Sequence, residues 1–200
     1  MTPRAPAMPP EERRRSLIAA TLPLLRERGG QISTAEIARA AGVAEGTIFR
    51  VFESKDELLG ECVAHAMDPA PLIADLAVID CSAGLERRLV EVVRLWQARV
   101  LEISGLMAAM YATGAGPSLK HRPHSRAEHQ AHSDRLVAAI AEVIEPDADQ
   151  LTLSAAEAAS LVRSMAFATS HPMISDHAVT DPELVVRILL HGMTSQGPSC

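Results

Sequence analysis

The residues of this chain best placed to do chemistry lie between positions 33 and 55. Arg50 can donate two hydrogen bonds to a guanine edge or pair with a phosphate. Thr47 can bond a phosphate, and its methyl group can meet a thymine methyl. Glu45 can accept from a cytosine amine and would repel a nearby phosphate, which makes it a selector more than an anchor. Thr34 and Lys55 stand at helix starts, where placement favours phosphate contact.

The surrounding sequence supplies elements to hold these groups. Ser33-x-x-Glu36 is a capping box that opens a helix running to about Ala41. Gly42 suits the left-handed conformation of a sharp turn. A second helix is expected over Glu45 to Phe52, and Ser54-x-x-Glu57 opens a third through about Met67. Ile37, Ala38, Val43, Ile48 and Phe52 have the spacing to pack this pair on the preceding helix. Ala44, Glu45, Gly46, Thr47, Phe49 and Arg50 then face outward. This is a helix-turn-helix, whose second helix enters the major groove. An exposed helical hairpin that binds nothing would show the same bare pattern.

The rest of the chain also reads as helical. Of its 200 residues 48% are apolar and only 2% aromatic, so the core must be built from aliphatic residues, mostly good helix formers. Residues 1–10 hold four prolines and read as a flexible arm, residues 11–67 as the DNA-binding domain, and residues 68–200 as a larger regulatory and dimerisation domain. Pro23 interrupts the first helix without ending its apolar face, which predicts a kink. Pro69 and Pro71 predict a break near 68–81, and Gly105 the end of a long helix begun near Ala83. Further helices are expected over about 106–113, 125–144, 155–171 and 182–192. The whole is an all-α chain of about nine helices with no convincing strand.

Net charge is −6, yet residues 1–62 carry nine basic and nine acidic side chains. The acidity therefore lies outside the expected DNA head, where it discourages unspecific binding to phosphate. The three cysteines form no CxxC pair, and no signal core or apolar span is visible, so a soluble cytoplasmic protein with no membrane partner is expected. A redox role for Cys62 has no nearby group to support it.

The motif Ile37-Ala38-Arg39-Ala40-Ala41-Gly42-Val43-Ala44-Glu45-Gly46-Thr47-Ile48-Phe49-Arg50-Val51-Phe52-x-x-Lys55-x-x-Leu58-Leu59 resembles the signature of the tetracycline-repressor (TetR) family of bacterial regulators. The resemblance covers about residues 11–60. It implies a homodimer on a near-palindromic operator, a repressor released by a small-molecule effector, and DNA contacts at Thr34, Ala44, Glu45, Gly46, Thr47, Phe49, Arg50 and Lys55. The family usually has Tyr at position 49, often His at 51 and often Ser at 44. Phe49 therefore lacks a phenol for phosphate, and Ala44 lacks a cap worth about 1 kcal/mol. Arg4, Arg13, Arg14 and Arg15 could compensate, or be a solvated basic run.

For the regulatory part, Leu95, Trp96, Arg99, Met107, Met110 and Tyr111, with Leu106 nearby, could line an effector pocket, although an ordinary core looks the same. Leu161, Val162, Met165, Leu184, Val185, Ile188 and Leu189 are candidate dimer residues, on helices made approachable by Ala155, Ala156, Ala158, Ala159, Ser160, Ser164, Ala166 and Ala168. Those helices could instead close the monomer core. His121, His124, His129 and His132 cluster in sequence, but Arg122 and Arg126 oppose a cation, so neither a metal nor another cofactor is expected. No phosphate loop or nucleophile motif is present, so the chain is not expected to be an enzyme. The leading expectation is a DNA-binding regulator; the alternatives are an effector-independent helical DNA-binding or interaction protein and, further off, an all-helical enzyme.

Overall fold

The computed structural model describes residues 9–112 and 126–193. The arm up to residue 8, Arg4, the 117–124 segment with His121, Arg122 and His124, and the tail from 194 lie outside the described residues. The elements are all helical: α1 (Pro10–Arg28), α2 (Thr34–Ala41), α3 (Glu45–Ile48), α4 (Lys55–Met67), α5 (Ala70–Ala77), α6 (Leu85–Ala112), α7 (Arg126–Ile144), α8 (Ala155–Ser170) and α9 (Pro182–His191). Short 3-10 turns follow α1 and α7. No described helix is long and apolar enough to cross a membrane.

The chain divides into two compact units, of which one holds residues 9–67 and 105–112 and the other 68–104 and 126–193. In the first unit α1 packs on α2 and α4, and α2 packs on α3. Leu17, Leu25, Ile32, Ile37, Ile48, Phe52, Leu58 and Val63 fill its core, joined by Leu106 and Met110. In the second, α7 packs on α5 and α8, and α8 on α9. Leu89, Val93, Ile140, Ile144, Ala159, Ala166 and Val186 form its core.

Local signals explain most helix starts. Ser33 Oγ accepts from the Glu36 amide while Glu36 accepts from the Ser33 amide, and Ser154 with Glu157 repeats the reciprocal pair. The Ser33 bonds hold the Glu36 carboxyl below its ordinary range, as the Ser154 bonds do for Glu157. Asp181 caps α9, with Pro182 in the first turn.

Two punctuation marks act differently from expectation. Pro71 begins a helix instead of breaking one: it occupies the first turn of α5, where a missing N–H costs nothing, and the Asp68 carboxylate accepts from the Ala70 amide at 3.0 Å. Gly105 does not end a helix. It lies inside the 28-residue α6, and a Cβ built on it meets nothing within 4 Å. Glycine is therefore only a propensity cost at this exposed point. Gly105→Ala should raise unfolding stability by about 0.5–1 kcal/mol, checked by urea denaturation; a lower stability would show that the glycine is required. α1 passes through Pro23 and ends at Arg28.

One buried polar cluster holds the second unit. Arg88, 2% exposed, donates Nε to the Val143 carbonyl (3.0 Å) and Nη1 to those of Cys81 (3.2 Å) and Ala83 (2.6 Å), and Nη2 pairs with Asp147.

Candidate nucleic-acid interface

The turn between α2 and α3 is made by backbone chemistry. Gly42 has φ 66° and ψ 31°, a left-handed conformation that costs a glycine nothing. Its amide reaches the Arg39 carbonyl (3.2 Å) and the Val43 amide reaches that of Ala38 (2.9 Å). These two bonds make the Schellman closure, which satisfies the last carbonyls of α2 and sends the chain sharply back.

α3 is shorter than its expected range to Phe52. Regular helix stops at Ile48, and the chain continues as turns: the Arg50 amide bonds Thr47 O (3.3 Å), and the Val51 and Phe52 amides both bond Ile48 O (3.0 and 2.9 Å). Ala44 precedes it without a side-chain cap, which removes one reason for longer helical order. The facing is still well defined. Ile48 (0% exposed) and Phe52 (1%) point into the core. Ala44, Glu45, Gly46, Phe49 and Arg50 are exposed, and Thr47 is half-buried. Phe49 is 53% exposed, unusual in a chain with so few aromatics.

Gly46 carries separate information. Its φ is not positive, and a Cβ built on it meets nothing within 4 Å. The fold itself does not need a glycine there, and helix propensity disfavours one. Duplex DNA laid against α3 would meet bare backbone at this point. Gly46→Ala should therefore raise the melting temperature or leave it unchanged while weakening DNA binding at least tenfold; unaltered binding would refute the close approach.

The start of α4 is braced from several sides. Lys55 Nζ donates to the Gly30 carbonyl at 2.7 Å. An ammonium has three donors, so two remain beyond this bond. Glu57 Oε2 accepts from the Glu53 amide (2.6 Å), its own amide bonds Ser54 Oγ (3.1 Å), and Oε1 meets Arg14 Nη2 (3.2 Å). Arg14 also pairs with Glu61 (3.2 Å), donates to Val51 O (3.2 Å) and lies 4.5 Å from the Phe52 ring centroid. These bonds turn Arg14 inward as a clamp on the segment after α3, at a residue for which the sequence left a DNA contact or a solvated charge open. Its pairing across 43 residues leaves no local trace in sequence. Thr34 is half-buried, and its hydroxyl donates to Glu45 Oε1 at 2.5 Å. Cys62 is fully buried, and burial pushes its thiol up to about 12, far from the reactive thiolate a sensor needs.

The expected effector residues are divided between the two cores. Leu106 and Met110 are buried in the first, with Met107 against it, while Leu95 and Trp96 pack on the second. Leu95 also lines an open groove of about 700 Å³ with Ile79, Arg87, Val90 and Glu183. Arg99 pairs with Glu102 (2.9 Å) and donates to Asp68 O (3.0 Å), and Tyr111 is 64% exposed. Of the expected dimer residues, Leu161 is exposed, and Met165, Leu184, Ile188 and Leu189 are half-buried. Val162 and Val185 instead face their own core at 4% and 1% exposure, because helical spacing sets Val162 in line with Ala155, Ala159 and Ala166. Among the described residues no three metal-ligating side chains come together. His129 is exposed on α7 and His132 is half-buried.

Residues 17–62 match the model of the bacterial regulatory proteins, tetR family. Among solved structures, a TetR-family transcriptional regulator from Mesorhizobium loti is 20% identical, aligns over 92% of this chain and 98% of its own, and gives a TM-score of 0.62. A tetR-family regulator from Streptomyces coelicolor is 25% identical over 91% and 79% of the two chains, with a TM-score of 0.54. The regulator FadR from Bacillus subtilis, solved with stearoyl-CoA, is 19% identical over 90% and 99%, with a TM-score of 0.55.

Proposed function

We propose that this chain, whose residues 17–62 match the model of the bacterial regulatory proteins, tetR family, is a homodimeric repressor that reads a near-palindromic operator through α3 and leaves it when a small molecule binds. The observation that carries the DNA part is the two-sidedness of α3 and the turns after it: Ile48 and Phe52 are sealed in the core while Glu45, Gly46, Phe49 and Arg50 stand open. Arg50 has no side-chain partner among the described residues and serves as the guanine reader. Thr47, Ala44 and Phe49 line the same face, and Lys55 and the first amides of α2 anchor the backbone.

A palindrome asks for a twofold protein. The open side of α8 fits that need. Ala156, Ser160, Ser164 and Ala168 are exposed and small, and Leu161 and Phe167 are exposed at 46% and 36%. With Leu184, Ile188 and Leu189 of α9 they offer apolar area around a close-approach stripe. Two DNA heads must then stand about 34 Å apart.

Release requires an effector that favours another arrangement by several kcal/mol. Trp96 Nε1 is buried with no hydrogen-bond partner in the structure. An unmade buried bond costs about 1–3 kcal/mol, so an effector acceptor that reaches it gains that much over an apolar one. The acyl-CoA bound by FadR supplies a first class of compound to try.

The test is selection of bound DNA from a random pool with the wild type and with Arg50→Ala and Thr47→Ala. The wild type should enrich two half-sites related by a dyad, and each variant should lose preference at defined positions. Unchanged selectivity in both variants would remove the base-reading assignment.

A further inference from the structure

The hydroxyl of Thr34 and the carboxylate of Glu45 are joined across 11 residues, from the first turn of α2 to the first turn of α3. We propose that Thr34 is a positioning residue that holds the Glu45 carboxylate toward the groove, so that this pair selects cytosine at one position of each half-site. The inference rests on the DNA-reading role of α3 and adds a specificity element to it.

A threonine hydroxyl has one proton. In the DNA-free structure that proton goes to Glu45 Oε1. Thr34 also has its amide, one of the first-turn N–H groups that a helix leaves without an internal partner. Ser33, not Thr34, caps α2, so the hydroxyl of Thr34 is not needed to start that helix.

The acid gains direction from the bond. An exposed glutamate samples many rotamers, and each ordered torsion costs free energy when a contact forms. A carboxylate fixed through one oxygen by Thr34 presents the other at a defined place. A carboxylate accepts and cannot donate, so the partner that suits it on a base edge is the cytosine N4 amine. Guanine and thymine offer it acceptors. Adenine offers an amine, with the N7 acceptor beside it. A negative charge at the entrance also weakens attachment to any phosphate that approaches without a matching base, which lowers unspecific binding.

The experiment is random-pool selection and titration of random-sequence DNA with wild type, Glu45→Gln, Thr34→Val and Thr34→Ser, each checked for folding by circular dichroism. The wild type should enrich cytosine at one symmetric position. Glu45→Gln should move that preference toward adenine, since a glutamine amide pairs with both N6 and N7, and should bind random DNA at least threefold tighter. Thr34→Val keeps the shape and should flatten the cytosine preference about fivefold while other positions stay intact. Thr34→Ser should restore it. A Thr34→Val protein with undiminished cytosine preference would overturn the positioning role. A Glu45→Gln protein with the wild-type pattern would overturn the selector. A wild type that enriches no motif would instead bring down the DNA-reading role itself, and this pair with it.

Discussion

Phe52→Ala should destabilise the first unit by about 3–5 kcal/mol, the usual cost of removing a fully buried phenyl ring. Phe52 is 1% exposed and none of its surface can touch DNA, yet the variant should lose operator binding as its head unfolds. The ring fills the core beside Ile48 and Leu58, and it is also the platform on which the Arg14 guanidinium lies. Its loss leaves Arg14 over a void while the arginine still holds Val51 O, Glu57 and Glu61. The segment that follows α3 is then tied at one side only. Thermal and urea denaturation should show the fall, and DNA binding should fade in parallel with folded fraction. Arg50→Ala makes the contrast: exposed and without a side-chain partner, it should lose binding with less than about 0.5 kcal/mol change in stability. A Phe52→Ala protein of wild-type stability would refute the packing account of the head.

Arg88→Leu carries an expected loss of similar size, about 3–5 kcal/mol. The guanidinium sits buried and spends its donors on three carbonyls and the Asp147 carboxylate. Leucine has the bulk but no donors. It leaves those oxygens unpaired where water reaches poorly, and each such group costs about 1–3 kcal/mol. Arg88→Lys keeps the charge without the planar fork and should fall between the two. Urea denaturation followed by circular dichroism measures both. A leucine variant within 1 kcal/mol of the wild type would mean that the acceptors find other partners at little cost.

The contrast between these two residues shows what sequence discloses. Ile48 and Phe52 stand four residues apart, and their burial is legible from that spacing. So are the caps at Ser33 and Ser154, because a capping box is complete within four residues. Nothing local in the sequence marks the partners of Arg14 in α4 or of Arg88 after α7, so neither inward turn is legible there. Pro71 and Gly105 were misleading for another reason. Each residue type has two uses, and position in the turn decides between them: proline is harmless in a first turn, and glycine is tolerated inside a helix that tertiary packing holds. Among the described residues, the helix expected to split at Gly105 and the helix not expected after Pro69 offset each other in the count. At α8 and α9, apolar residue types marked the candidate dimer residues, but only the structure separates Val162 and Val185, which face inward, from Leu161, which is exposed. For the candidate site, the outward set Glu45, Gly46, Phe49 and Arg50 was readable, while the Thr34–Glu45 bond was not, because it joins two helices across a turn.

Arg50, on the outer side of the turn after α3, is the residue proposed to read a base edge. The most direct test of that role replaces the guanine of the selected half-site with 7-deazaguanine, which lacks the N7 acceptor and keeps the pairing. Wild-type protein should lose roughly tenfold in affinity, and Arg50→Ala should be indifferent to the replacement. Equal losses in both proteins, or none in either, would contradict the claim.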